Sequence, residues 1–173
     1  MNGINTIENE NVAVRKSLIL HRQLGVISKK AFKKDATIFS IQGPVKEEPT
    51  KYSFSVGLDE HIEPERNDGS FDFGHYLNHS CNPNTKIKVV RYKGRLPYLK
   101  VVARRNIKAG EELTFDYASL EYVITLKNVK CQCKDASCRK YMCGFRDLPE
   151  NFVKKYIKER MIPKHLLDMR SSK

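Results

Sequence analysis

The sequence predicts a mainly β domain with a helix at its C-terminal end. Short segments with β-branched or aromatic alternation recur along the chain, and Gly, Pro, Asn or Asp usually stand close to them. Helical spacing of apolar residues is clear only near the end.

Taken in order, "NVAVRKSLIL" and "LGVIS" read as the first strands, and "TIFSIQG" and "YSFSVGL" as the next. Between Gly57 and Gly74 the segment "LDEHIEPERNDGSFDF" is polar and rich in turn formers. It reads as a long surface excursion that delivers the chain to "YLNHSCNPNT". "KIKVVRY" and "LPYLKVVA" flank "KGR" and predict an antiparallel hairpin turning at Gly94, with Leu99, Val101 and Ala103 on one face. In "DLPENFVKKYIKERM", Pro149 suits a first helical turn, and Phe152, Val153, Tyr156 and Ile157 form an apolar docking stripe opposite several Lys. The closing "MRSSK" reads as frayed and residues 1–11 as a disordered lead.

A chain of 173 residues is long enough for one domain with a real core and no need of disulfides. The formal charge of +12 and pI near 9.5 favour an acidic partner such as nucleic acid, although solvated lysine faces give the same total. The apolar runs fall short of the roughly 20 residues of a membrane span, and the start lacks the character of a secretory signal. The expectation is an intracellular, soluble protein without membrane contact.

Five cysteines, three of them in "CQCKDASC", suit metal ligation in a reducing compartment better than paired disulfides. Thiolates one residue apart do not readily bridge each other, but Cys131 and Cys133 can share one zinc and Cys138 can close a third side. Structural zinc is four-coordinate, so a fourth donor comes from elsewhere. Cys81 and Cys143 are the remaining thiols, and spacing leaves both open.

"NHSCNPN", then "GEELTFDY" about thirty residues on, then "CQCKDASCRKYMCGF" resembles the SET domain and post-SET segment of protein lysine methyltransferases. The resemblance runs from about Leu18 to Phe145, and the small size is similar to that of compact, stand-alone members. It implies a SET fold of small curved sheets over residues 1–125, in which the "NHSC" and "GEELTFDY" segments cross in a pseudoknot. A zinc-binding segment would follow over 126–146 and a C-terminal helix and tail over 147–173. It further implies that Asn78 and His79 line an S-adenosylmethionine pocket, that the backbone at Leu24 and Gly25 approaches the cofactor, and that Tyr52 lies near its carboxylate. Cys81 then joins Cys131, Cys133 and Cys138 on zinc, leaving Cys143 a free thiol.

Methyl transfer from a sulfonium to an amine is an in-line displacement and needs a neutral lysine. A narrow, dry channel and the nearby positive sulfonium both lower a lysine pKa, so no strong base is required. By the resemblance Tyr117 is the catalytic tyrosine. Phe115 stands where a Tyr would restrict the number of methyls added, so di- or trimethylation is expected. Two departures weigh against this: Gln23 replaces the first glycine of the family's Gly-x-Gly, and Ile41 stands where many members have a tyrosine. They motivate the alternative of a decayed SET fold serving as a zinc-stapled interaction module.

The substrate implied is a lysine of a histone or another nucleic-acid-associated protein, with Asp59, Glu60, Glu63 and Glu65 as a candidate acidic lining. Basic runs such as "VISKKAFKK" allow an auxiliary nucleic-acid contact. The sequence is silent on oligomeric state. It leaves nucleus, cytoplasm and delivery into a host cell open.

Overall fold

The computed structural model of the protein describes residues 7–124 and 129–171. In chain order the strands are β1 (Val12–Lys16), β2 (Leu24–Ser28), β3 (Thr37–Ile41), β4 (Val45–Lys46), β5 (Phe54–Ser55), β6 (His61–Ile62), β7 (Asn78–His79), β8 (Thr85–Val90), β9 (Tyr98–Ala103) and β10 (Glu112–Phe115). Two helices follow, α1 (Glu150–Lys158) and α2 (Lys164–Ser171). The strands form three small sheets, ordered β1-β2-β10-β7, β3-β9-β8 and β4-β6-β5.

The expected hairpin is present. β8 and β9 pair antiparallel with Ile87 opposite Val101 and Val89 opposite Leu99, and Gly94 turns the chain at φ +74°, a conformation that costs glycine little. Leu99, Val101 and Ala103 are fully buried together. With Val12, Val26, Ile41, Ile62 and Leu113 they form the main core, and each large aliphatic side chain there contributes roughly 1.5–3 kcal/mol by leaving water.

The crossing of the two motifs decides the topology. β7 runs parallel to β10, with Asn78 opposite Thr114 and His79 opposite Phe115. Asn84 then acts as a substitute strand residue: its Nδ2 donates to Glu112 O (2.8 Å) and its Oδ1 accepts from Thr114 N–H (2.9 Å). Thr85 Oγ1 adds a bond to Thr114 O at 2.8 Å. The Asn-rich turn therefore pairs the buried backbone of β10, which would otherwise be left unsatisfied.

Three expectations change. The segment between Gly57 and Gly74 is not a surface excursion throughout, because His61–Pro64 are buried and β6 is the middle strand of its sheet. Turn formers dominate its composition, but Ile62, wholly buried, carries the pairing. Part of "MRSSK" is ordered: Met169, Arg170 and Ser171 close α2, whose Leu166 is buried, while residues 172–173 lie outside the described residues. The disordered lead likewise ends early. Asn9 Oδ1 accepts from Asn11 and Val12 N–H, and Glu8 bridges Ala13; residues 1–6 are outside the described ones. The boundary expected at 125/126 falls within 125–128, also outside them.

α1 docks as expected through Val153 and Tyr156, whereas Ile157 is 48 % exposed because the helix presents the 153–156 side. The helix ends in a Schellman arrangement, with Met161 N–H on Tyr156 O and Arg160 N–H on Ile157 O. Phe145, Leu148, Val153, Tyr156, Met161 and Leu166 make a second core around Ala118, just after the "TFDY" motif.

Candidate active site

The site is built on the β7–β10 crossing. Parallel pairing sets Asn78 and His79 beside Thr114 and Phe115, and the 3₁₀ turn at Tyr117–Ser119 follows directly. Asp116 caps that turn by accepting from Ala118 N–H at 3.0 Å.

Asn78 is buried, and its Nδ2 donates to Leu24 O (2.9 Å) and to Glu112 Oε1 (2.8 Å). The Glu112 carboxylate also accepts from Ser17 Oγ (2.9 Å), Leu18 N–H (2.6 Å) and Ile19 N–H (3.2 Å). It thereby fixes the loop after β1 and the amide of Asn78 at once. Gly25 is required beside it, since a Cβ there would lie 2.4 Å from Glu112 Oε1 and 3.1 Å from Asn78 Nδ2. Gln23 leaves this arrangement intact: its side chain is exposed and its carbonyl accepts from Ser17 N–H at 2.8 Å.

His79 Nδ1 accepts from Tyr117 N–H at 3.3 Å, so the proton resides on Nε2, which lies 3.3 Å from Cys81 Sγ. Burial pushes this imidazole down to about 4 against the pull of Asp116, and the ring is neutral at physiological pH. The Tyr117 hydroxyl donates to Leu77 O at 3.3 Å. Burial, with Tyr52 adding to it, pushes that phenol up to about 12. A neutral, donating phenol is suited to orienting and polarising rather than to taking a proton. Phe115 is buried, with its ring 4.9 Å from Tyr117 and 5.5 Å from Phe54. Tyr52 packs against His75 with ring centroids 3.9 Å apart and planes tilted by 34°, and is 40 % exposed. Ile41 is fully buried in the core, against Gly74.

The sulfurs of Cys81, Cys131, Cys133 and Cys138 all lie within 4.8 Å of one another, without a disulfide. Cys81 to Cys131 is 3.7 Å. Four thiolates at about 2.3 Å from one zinc would stand roughly 3.8 Å apart, so the donor set fits tetrahedral zinc. Burial pushes the Cys81 thiol upward and that of Cys131 to about 12, whereas Cys133, against burial, is brought down to about 7 by hydrogen bonds from the backbone and neighbouring thiols; a dication would favour the thiolate at the raised sites. Spacing left Cys81 and Cys143 open; the fold places Cys81 in the group and Cys143 outside it.

Sequence reasoning missed Glu112, Asp116, Arg139 and Tyr156. Asp116 is wholly buried, and Arg139 grips it from the cysteine segment at 2.5 and 2.8 Å. Tyr156 of α1 donates to it at 2.6 Å. The one available signal was the short strand-like run "ELTF", which places the carboxylate of Glu112 at its start; in the fold all four residues are buried. The proposed acidic lining is dispersed: Glu63 is buried and accepts from Thr50 Oγ1 (2.5 Å), while Glu60 pairs with Arg91. Burial raises another carboxyl, Glu121, to about 7, with Ser55 N–H at 3.1 Å pulling the other way.

The described residues include no helix long and apolar enough to cross a membrane. Comparison with known proteins matches residues 23–118 to the SET domain family. The chain is 39% identical over 71 residues to the probable histone-lysine N-methyltransferase set-23 of Caenorhabditis briggsae, which covers 41% of this chain and 29% of that protein. It is 27% identical over 165 residues to histone-lysine N-methyltransferase SUV39H1 of Xenopus laevis, 81% of this chain and 37% of that one. It therefore spans less than two fifths of either relative. Among solved structures, the complex of KRYPTONITE with mCHH DNA, H3(1-15) peptide and SAH aligns with a TM-score of 0.61 and 25% identity over 76% of this chain and 29% of that one. The matched residues carry the crossing, the buried Asn78 and the Tyr117 turn, and the chain belongs to the SET-domain family.

Proposed function

We propose that this chain is a protein-lysine N-methyltransferase that uses S-adenosylmethionine and is stapled by one zinc ion. The observation that carries the reading is the parallel pairing of β7 with β10, which gathers Asn78, His79, Phe115 and Tyr117 at one crossing. The names of the relatives support the reaction class and a histone substrate, as does the H3 peptide in the KRYPTONITE complex. They disfavour the decayed-module alternative, and the intact Glu112 to Asn78 network does so too. Nuclear residence follows from that substrate class.

Asn78, with the Leu24–Gly25 backbone, holds the cofactor. S-adenosylmethionine, when bound, supplies the electrophilic methyl group. The rest falls to the chain. The Tyr117 hydroxyl stays protonated and orients the reacting groups, the aromatic walls of Phe115 and Phe54 exclude water, and a lysine entering this dry space is favoured in its neutral form. Alignment then supplies much of the acceleration, up to roughly 7–11 kcal/mol in favourable systems. The lack of a hydroxyl on Phe115 leaves room for a second and third methyl. Cys81, Cys131, Cys133 and Cys138 bind zinc, and His79 Nε2–H supports the Cys81 thiolate.

The test is transfer of labelled methyl from S-adenosylmethionine to histones and to a whole-cell extract. Label on lysine, lost in Tyr117→Phe, is the expected result. Absence of label together with absence of cofactor binding would overturn the reading.

A further inference from the structure

We propose that a groove beside the free edge of β8 docks an extended, acidic peptide segment of a partner protein by strand addition. The groove measures about 690 Å³ and lies between β8, the Val56–Leu58 turn and the linker from α1 to α2. That is within the roughly 300–1,000 Å³ typical of binding clefts. Asn78, His79, Phe115 and Tyr117 do not line it, so it is separate from the candidate active site. Its floor is apolar, made by Val56, Ile87, Val89 and Met161.

The edge of β8 is open for pairing at its Val89 end. Among the described residues β8 pairs only with β9, and the bond from Arg104 N–H to Asn84 O (2.8 Å) sets the parity of that ladder. Even-numbered residues of β8 face β9, so the N–H and C=O of Val89 face away from it. No described residue bonds them. Ile87 is covered at 3 % exposure, so the open edge begins at Val89. Exposed edges are ready templates for an added strand.

The rim sets the charge of the occupant. Lys88, Arg160 and Lys164 are exposed and form no ion pair among the described residues. Arg91 differs, being tied to Glu60 and to Val56 O. Asp168 is the one acidic residue of the lining. Arg160 moreover sits at φ +53°, just past the end of α1, where glycine is the favoured residue. Cations alone would equally suit a nucleic acid, but the lining contains no Phe, Tyr or Trp on which bases could stack. An apolar floor, a free strand edge and a cationic rim together fit alternating apolar and acidic side chains.

The probe is a fluorescein-labelled octapeptide of alternating Asp and Val, followed by fluorescence polarisation. Binding to the full chain is expected, weakened at least about tenfold by Lys88→Glu with Arg160→Glu. Val89→Pro is expected to abolish it with the far-UV circular dichroism native, since an edge strand accepts a proline whose N–H would face outward, although the lost packing of Val89 on the core lowers the melting temperature. The charge-reversal pair alters exposed side chains and stays decisive if the proline variant melts early. Unchanged binding in either variant, equal competition by octa-aspartate, or displacement by single-stranded dT12 at lower concentration than by unlabelled peptide would overturn the proposal. The last result would identify the groove as a nucleic-acid contact. None of these readouts depends on methyl transfer.

Discussion

Glu112 Oε1 accepts a hydrogen bond from Asn78 Nδ2 at 2.8 Å, across a glycine that has no room for a side chain. This contact joins β7 to β10, and the bonds of the same carboxylate to Ser17, Leu18 and Ile19 add the loop after β1. The Asn78 amide is held before any ligand arrives, which limits the entropy lost on binding.

Glu112→Ala should therefore weaken S-adenosylmethionine binding by at least about tenfold, since each orphaned buried donor costs about 1–3 kcal/mol. Asn78→Ala should abolish binding with the fold retained. Titration calorimetry on both variants, with circular dichroism as the control, checks this. An unchanged affinity in Asn78→Ala would place the pocket elsewhere.

Purified protein should carry one zinc per chain by metal analysis. Cys81→Ser and Cys133→Ser should each lose it and lower the melting temperature, because binding to a structural site is part of the folding free energy. Cys143→Ser should retain the metal. Loss of zinc in Cys143→Ser alone would reassign the fourth ligand.

Phe115→Tyr should shift products toward monomethyl-lysine. The added hydroxyl would project into space now bounded by the rings of Tyr117 and Phe54, at 4.9 and 5.5 Å from Phe115. Mass spectrometry of a methylated histone peptide reads the distribution, and an unmoved distribution would remove the assigned role.

Glu121 gives a pH dependence. Its carboxyl is raised from 4.5 to about 7 in the fold, so between those values the native state binds more protons than the unfolded chain. Its contribution is complete below about 4.5 and is lost as pH rises through 7. Glu121→Gln should thus stabilise the protein at pH 8, by up to about 3 kcal/mol, and change little at pH 4. Urea unfolding at the two pH values measures it, and equal effects at both would contradict the assignment.

The sequence by itself determined the hairpin at Gly94, because a β-branched pair of strands around Lys-Gly-Arg leaves few other folds, and the docking of α1 through Val153 and Tyr156, because their spacing is helical. It also determined the three clustered cysteines and, through the motif resemblance, the pairing of Asn78 with the Tyr117 segment. The tertiary structure alone decided the rest. Glu112 and Asp116 are exposed acids by composition and become buried hubs only because strands meet there from opposite ends of the chain. Ile62 pairs in mid-sheet inside a segment that reads as loop, since the sheet buries its polar neighbours His61 and Glu63 along with it, which composition does not foretell. Local pattern reports periodicity within a few residues, whereas a buried carboxylate is set by donors 34 and 94 residues away, and no window along the chain contains them.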